Sequence, residues 1–179
     1  MKSLTLALAL SVAALAALAA LAGNDALESR SGYVDLRALG AAYGEPRVSI
    51  DLGSSLLRLV GAAAEHEDPL AGETLRKLES FRVQVYDTRG DSDAATNGMD
   101  DARQSLVAQS WEQVVRVREP DNRVEIYVKQ DAELIHGLAI MAVDGQEAVF
   151  INILGEISPD ELSMVMNEID LDLDVDLDI

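Results

Sequence analysis

The sequence predicts a single α+β domain, with a mainly antiparallel sheet and helices packed largely on one face. Three observations support this prediction. Apolar and polar residues alternate with period two in several short segments, which is typical of strands with one exposed side. Asp144-Gly145, a type I′ hairpin signal, joins two nearly continuous apolar runs. A capped amphipathic pattern follows them, so the domain is expected to end in a strand hairpin and a C-terminal helix.

Strand and helix patterns alternate in the first half of the domain. The strands are recognised by period-two alternation and the helices by an apolar stripe on one face. The residue before a proline avoids helical dihedral angles, which ends the first helix before Pro69. The predicted elements are a short strand at Tyr33–Leu36, a strand at Arg47–Leu52, a helix that begins after Gly53-Ser54-Ser55, a helix at Leu70–Leu78 and a strand at Phe81–Tyr86.

The second half begins with residues 87–101, which are rich in Gly, Asp, Asn and Thr and are predicted to form the only long loop. A helix is expected from Ala102 to about Val114. From there on, strand signals separated by short turns replace the helical pattern. These three predicted strands are Arg123–Lys129, Leu134–Val143 and Ala148–Leu154, the last two forming a buried central hairpin.

The closing helix has the clearest local signal in the chain. Ser158 is the predicted N-cap, Pro159 takes the first helical position, and Glu161 completes a capping box. Its apolar residues recur at helical spacing, at Leu162, Val165, Met166 and Ile169.

Residues 169–179 alternate aliphatic residues with Asp without interruption. As a strand, this segment would present one aliphatic and one anionic face, which suits an extra edge strand or an arm donated to a partner's sheet. The alternative is a disordered acidic tail, because Asp has low strand propensity and the charges repel one another. The predicted organisation is therefore a domain over residues 33–169, followed by an acidic tail over residues 170–179.

The first 22 residues determine the expected compartment. Lys2 precedes an unbroken run of apolar and small residues, and Ala20-Leu21-Ala22 is a typical processing site. This pattern predicts a secretory signal peptide cleaved before Gly23, followed by a disordered leader over residues 23–32. An uncleaved membrane anchor is the alternative, but the run ends in a processing site rather than in basic residues. We expect a periplasmic or secreted protein.

The chain contains no cysteine. Leu21-Ala22-Gly23-Asn24 has the shape of a bacterial lipoprotein box in which Asn replaces the Cys that would carry the lipid. We therefore expect no stable membrane anchor after cleavage. Without disulfides the domain must be held by packing alone, and with aromatic residues at only 4 % that core is expected to be aliphatic.

The formal net charge is −18, and removal of residues 1–22 takes away Lys2 and no acid, which makes it −19. A charge of this sign and size argues against nucleic acid and anionic membrane surfaces as partners. It favours cationic or polar partners and divalent cations, or simply a well-solvated acidic surface.

Four segments of the chain carry a resemblance to a known family, namely LRKLESFRVQVYD, WEQVVRVRE, NRVEIYVKQ and AVFINILGEISPDEL. They are similar to the bacterial envelope proteins of the domain of unknown function 4252 family. The resemblance covers roughly Tyr33 to Ile169 and implies a small exported protein; many members look like lipoproteins, and none has an accepted activity. The chain departs from this pattern at Asn24 and in its Asp-rich carboxyl end.

No catalytic or metal-binding motif converges in the sequence. His66 has acidic neighbours, but adjacent residues on a helix point in different directions and cannot all bind one ion. His136 alternates with apolar residues along one strand face, which favours a packed histidine over a general base. The segment 91–102 departs from a calcium loop at its fifth, sixth and twelfth places. We predict that the protein is not an enzyme and has no catalytic, metal or cofactor site.

The leading functional hypothesis is a non-enzymatic periplasmic or secreted interaction module of the bacterial envelope, which presents a sheet face or edge to another envelope protein. The alternative is a protein that binds a small ligand or a divalent cation through the acidic loop or the tail. The predicted interaction surface comprises the polar residues that alternate along two strands, namely Arg82, Gln84, Tyr86, Arg123, Glu125, Tyr127 and Lys129.

Overall fold

A computed structural model describes residues 27–88, 92–120, 122–131 and 134–158. These residues form one sheet of six antiparallel strands with helices on it, which confirms the predicted α+β class. The signal peptide, most of the closing helix and the acidic tail lie outside the described residues. The strands are β1 (Val48–Gly53), β2 (Leu78–Asp87), β3 (Glu112–Arg118), β4 (Asn122–Asp131), β5 (Leu134–Asp144) and β6 (Glu147–Ile157). The helices are α1 (Leu36–Leu39), a 3-10 helix (Ala41–Tyr43), α2 (Ser54–Ala64), α3 (Pro69–Lys77) and α4 (Ser92–Ala108).

The strand order is β1-β2-β6-β5-β4-β3, so β1 and β3 are the edge strands. The predicted central hairpin is confirmed, with Val143 of β5 opposite Ala148 of β6. Its turn is not type I′, because positive φ angles occur in the described residues only at Gly44 and Ser110. Instead, the Asp144 carboxylate accepts hydrogen bonds of 2.7 Å from the backbone amides of Gln146, in the turn, and Glu147, the first residue of β6.

We call the two sides of the sheet face 1 and face 2. Face 1 carries the side chains of Tyr86, Tyr127 and Phe150, and it is covered by the segment 32–43 and by α4. The hydrophobic cluster on face 2 consists of aliphatic side chains and Phe81, and α2 and α3 pack on the β1–β2–β6 half of this face through residues such as Leu57. Helices therefore contact both faces, and the two hydrophobic clusters are separated by the sheet.

The predicted short strand at Tyr33–Leu36 is wrong. Leu36 instead begins helix α1, because the Asp35 side chain accepts hydrogen bonds from the amides of Arg37 (3.0 Å) and Ala38 (3.2 Å). This is a standard N-cap, and it turns the chain into a helix where the alternation alone indicated an extended segment.

The predicted long loop over residues 87–101 is also wrong, because α4 begins at Ser92. Gly98 lies inside this helix although glycine lowers helix stability by about 1 kcal/mol relative to alanine. A Cβ atom at Gly98 would lie 2.7 Å from the ring of Tyr43, so only glycine allows the helix to approach this closely. Tertiary packing of α4 on face 1 thus outweighs the local preference for a loop.

Helix α4 ends at Ala108, not near Val114 as predicted, and the residues that follow form β3. Ser110 adopts φ 61°, the amide of Ser110 donates to the carbonyl of Val107, and that of Trp111 donates to the carbonyl of Leu106. This is the Schellman arrangement that ends many helices, in which glycine normally occupies the left-handed position. Because serine stands there instead, the sequence carries no visible stop signal.

Ser110→Gly is expected to raise the free energy of unfolding by about 1 kcal/mol, because glycine adopts the left-handed conformation without the steric cost that serine bears. Urea denaturation of the purified domain measures this change. Gln104→Gly, at an exposed position inside α4, serves as the matched control and is expected to lower stability by about 0.7 kcal/mol. Equal effects at the two positions would contradict the role given to Ser110.

No helix in the described part of the chain is both long enough and apolar enough to cross a bilayer.

Candidate interaction surface

The seven residues predicted to form an interaction surface do lie together on face 1, but not on neighbouring strands. β2 and β4 are separated by β6 and β5. The prediction of an exposed surface is wrong, because the segment 32–43 and α4 cover the middle of this face. Arg82, Arg123 and Lys129 are half-buried. The other four are buried, with exposed fractions of 8 % for Gln84, 1 % for Tyr86, 2 % for Glu125 and 0 % for Tyr127.

On β2, Arg82 holds the segment that precedes α1. Its guanidinium donates to the carbonyl oxygen of Val34 (2.6 Å) and to the side-chain oxygen of Asn152 (2.7 Å). The fully buried Asn152 also accepts from the amide of Val34 (3.2 Å) and donates to the carbonyls of Gly32 (3.0 Å) and Leu138 (3.1 Å). Asn152 therefore satisfies the backbone of a segment that crosses the sheet without pairing to it as a strand.

Tyr86 takes part in a cluster of three aromatic rings under the same segment. Its ring centroid lies 5.8 Å from that of Tyr43 and 5.7 Å from that of Phe150, the latter in an edge-to-face arrangement. The Tyr86 hydroxyl donates to the side-chain oxygen of Gln84 at 2.5 Å and lies 3.3 Å from the carbonyl of Leu36. Gln84 and Tyr86 thus stabilise the covering segment instead of meeting a partner.

On β4, the buried Glu125 carboxylate is the centre of a charged network. The Tyr127 hydroxyl donates to it at 2.6 Å, Arg116 of β3 lies at 3.3 Å, and Arg103 of α4 lies at 3.5 Å. Arg103 also pairs with Asp100 at 2.6 Å. Two guanidinium groups and a hydroxyl therefore compensate the desolvation of this carboxylate, and the network joins α4 to the edge of the sheet.

The environment of Tyr127 makes stability sensitive to alkaline pH. Burial raises the pKa of Tyr127, and the hydrogen bond to Glu125 raises this pKa further. Above about pH 10 the unfolded chain releases the phenolic proton while the folded chain retains it, so the free energy of unfolding is expected to fall as pH rises. Urea denaturation between about pH 9 and pH 11 tests this. In Tyr127→Phe the fall should be shallower, and an identical slope would contradict this assignment.

Lys129 occupies the end of α4. Its ammonium donates to the backbone carbonyls of Gln109 (2.5 Å) and Ser110 (3.3 Å), which the helix leaves without intrahelical partners. A cation at this end also interacts favourably with the helix dipole. Lys129 is therefore part of the support for α4.

Two clefts lie beside the segment 27–32. The first, of about 370 Å³, has four cations in its lining, but three of them, Arg30, Arg76 and Lys77, form ion pairs with glutamates at 3.0, 2.8 and 3.0 Å. The second, of about 240 Å³, contains His136. The His136 ring nitrogen lies 2.8 Å from the Asp131 carboxylate, which links β5 to β4. These pairs join neighbouring elements of the fold.

The alternative hypothesis, a divalent-cation site, has no geometric support in the ranges that the structure covers. There, no group of three or more His, Asp or Glu side chains is placed to hold an ion. In the region that the sequence predicted to be an acidic loop, Asp100 forms an ion pair with Arg103. His66 follows α2, and its Nδ1 lies 3.3 Å from the carbonyl oxygen of Ala62.

Among the described residues, β1 and β3 each have one side that pairs with no strand. Of the two, β3 is the more exposed, and we call its outer edge the β3 edge and define it as residues 112–118. β3 pairs with β4 on one side and, among the described residues, with no strand on the other. A bulge falls at Val114, whose side chain is 51 % exposed, and the register is regular from Val115 to Arg118. In this regular part the half-buried Val115 and Val117 lie on face 2, and the exposed Arg116 and Arg118 lie on face 1.

Sequence reasoning missed the β3 edge because the helical pattern of α4 was extended to Val114. A signal was present, since Val115 and Val117 alternate with Arg116 and Arg118 and valine favours strands. Arg118 has no ion-pair partner among the described residues, whereas Arg116 shares its charge with Glu125.

These features define a class of protein: an antiparallel α+β scaffold whose polar sheet face is used internally and whose edge strand β3 carries the exposed alternating surface. The chain belongs to the domain of unknown function 4252 family, which it matches over residues 43–165, a region that contains all six strands. Comparison with curated proteins and with solved structures finds no match.

Proposed function

We propose that this protein is an exported, non-enzymatic interaction module of the bacterial cell envelope, and that it binds its partner by strand addition at the β3 edge. The observation that carries this proposal is the regular segment Val115–Arg118 on an edge strand, in which half-buried valines alternate with exposed arginines. The backbone N–H and C=O groups along such an edge are available to pair with another strand. Strand addition uses those groups for affinity and the alternating side chains for specificity.

The side chains of the β3 edge specify the chemistry of the partner strand. On face 2, Val115 and Val117 favour apolar side chains, and on face 1, Arg116 and Arg118 favour acidic ones. The chain as a whole is strongly acidic, with a net charge of −18. A local pair of arginines on an acidic protein orients an approaching acidic strand toward this edge.

Export is supported by the first 22 residues, in which a positive residue, an apolar run and a processing site follow one another. The absence of cysteine from the sequence is compatible with an oxidising compartment, since no disulfide framework has to form there. The resemblance to envelope proteins points to the same compartment.

In-cell photocrosslinking of the tagged, full-length protein in its native host tests the proposal. A photoreactive amino acid replaces Val114 at the β3 edge in one variant and Leu59 of α2 in the control. Both side chains are exposed aliphatic groups, with exposed fractions of 51 % and 67 %, so they differ mainly in location. Crosslinked products are identified by mass spectrometry after purification.

A reproducible product that contains an envelope protein and forms from position 114 but not from position 59 is the expected result. Products that form equally from both positions, or from position 59 alone, would overturn the β3 edge as the binding surface. Recovery of the protein from the cytoplasmic fraction alone would overturn the proposed compartment.

A further inference from the structure

We propose that residues 169–179 of the same chain bind the β3 edge as an added strand. This inference rests on the proposed function only because it uses the same β3 edge. The segment that we propose to bind there is identified by its own side-chain chemistry. The segment contains five Asp residues that alternate with six aliphatic residues, from Ile169 to Ile179. In an extended conformation all the aliphatic side chains point to one side and all the carboxylates to the other.

The β3 edge is complementary to both sides of this segment. When the aliphatic residues lie beside Val115 and Val117 on face 2, the Asp residues necessarily lie beside Arg116 and Arg118 on face 1. Opposite charges on neighbouring strands stabilise a sheet, and aliphatic pairs do the same on the other face. A shift by one residue would reverse both matches, so the register is specified in steps of two.

The opposite edge of the sheet does not offer this match. β1 places Asp51 and Ser49 on face 1, where Asp51 is exposed and lies opposite Arg82 of β2. An acidic strand at β1 would put like charges on neighbouring strands, which is destabilising. Repulsion from the remainder of an acidic chain likewise disfavours binding elsewhere on its surface. Charge therefore selects β3.

The connecting chain is long enough for binding within one molecule. β6 ends at the same end of the sheet at which β3 begins. Ile157, at the end of β6, is opposite Ile135 of β5, and Ile135 is opposite Gln130 of β4. Gln130 follows Val128, which is opposite Glu112, the first residue of β3. Three strand spacings separate β6 from β3, about 14 Å. Counted to the added strand, the distance is four spacings, about 19 Å. Residues 159–168 span about 15 Å as the predicted helix and up to about 33 Å when extended, so binding at this edge requires the last turn of that helix to extend. Because the segment and the edge belong to one chain, their effective concentration is on the order of millimolar, which favours this arrangement over a second copy.

Disulfide trapping in the full-length exported protein tests this inference cleanly, because the chain has no cysteine of its own. Val117→Cys is combined in turn with Leu171→Cys, Leu173→Cys, Val175→Cys or Leu177→Cys, which covers the registers allowed by the alternation. The matched control replaces Val117→Cys with Val48→Cys, a half-buried valine on the other edge strand. Neighbouring strands place Cα atoms within the range that a disulfide requires. Circular dichroism checks that each variant is folded.

An intramolecular disulfide with position 117, in at least one register and at a yield several-fold above that with position 48, is the expected result. Arg118→Glu in the same pair should lower the yield roughly 2- to 5-fold, the effect of one cross-strand charge pair. Added salt should lower it as well. Disulfides between two molecules, equal yields at the two edges, or no disulfide in any folded variant would overturn the inference.

A separate experiment tests the proposed function independently of this inference. The photocrosslinking from position 114 is repeated in a chain that ends at residue 169. A partner crosslink that persists or increases there keeps the proposed function, whatever the disulfide result. If the segment binds the edge, its removal is expected to increase the crosslink several-fold, because the edge is then open to the partner at all times.

Discussion

Gly137→Ala is expected to lower the free energy of unfolding by about 3 kcal/mol. A Cβ atom at this position of β5 would overlap the backbone of Gly32, and backbone atoms cannot move aside as a flexible side chain can. The segment 32–43, which covers face 1, would have to move away from the sheet. This would break the hydrogen bonds from Asn152 to Gly32 and from Arg82 to Val34. Urea denaturation measures the loss, and limited proteolysis of residues 27–35 should become faster.

The matched control is Gly145→Ala. Gly145 is exposed in the turn between β5 and β6, and a Cβ atom there would meet no atom within 4 Å. We expect this variant to remain within about 0.5 kcal/mol of the original protein. If the two glycine variants unfold at the same urea concentration, the close approach between Gly32 and Gly137 does not contribute to stability as argued.

Glu125→Ala is expected to cost about 3 kcal/mol. The substitution removes the carboxylate that accepts a hydrogen bond from Tyr127 and forms ion pairs with Arg116 and Arg103. A buried hydroxyl and two guanidinium groups then lose their shared partner. Removing one member of a buried charged network is costly because the remaining groups stay desolvated. Asp100 continues to pair with Arg103, which keeps the loss below the upper end of such effects. Thermal and urea denaturation provide the measurement.

Two variants make this prediction specific. Glu125→Gln retains a hydrogen-bond acceptor for Tyr127 but not the charge, so its loss of stability should be intermediate. Glu112→Ala removes an exposed glutamate on the neighbouring strand, which is hydrogen-bonded to Gln130 at 3.0 Å, and is expected to change stability by less than about 0.5 kcal/mol. A loss at Glu125 no larger than that at Glu112 would show that the network is not a stabilising element.

Much of the fold follows from local patterns. The central hairpin was predicted because β5 and β6 read as long apolar runs on either side of a short turn, and both are buried on two faces. The helix predicted at Leu70–Leu78 is α3, which begins and ends one residue earlier, at Pro69 and Lys77. These elements have burial patterns that the sequence displays directly.

Other elements depended on particular tertiary contacts. The start of α4 was hidden because Gly98 reads as a loop residue, whereas in the structure it allows Tyr43 to approach the helix. The end of α4 was hidden because Ser110 takes the position at which glycine usually signals a stop. Missing that stop also concealed β3, and with it the open edge of the sheet.

For the candidate site, too, one part could be predicted from the sequence and another depended on tertiary contacts. Alternation correctly placed Arg82, Gln84 and Tyr86 on one face and did the same for the polar residues of β4. It could not show whether that face meets solvent, because period-two alternation reports which residues share a side and not what covers that side. Burial of Glu125 is tolerated because its carboxylate has two arginines as partners, and Gln84, Tyr86 and Tyr127 are hydrogen-bonded as well.

By itself the sequence determined the α+β class, the central hairpin and the strongly acidic charge. It also determined the family, through the four segments that resemble it. Only the tertiary structure decided that face 1 is covered, that β3 is an edge strand and that the predicted polar surface is internal. The physical reason is the range of the interactions. Periodicity reflects neighbours a few residues apart, whereas the cover of face 1 depends on contacts such as that between Val34 and Asn152, 118 residues apart in the chain.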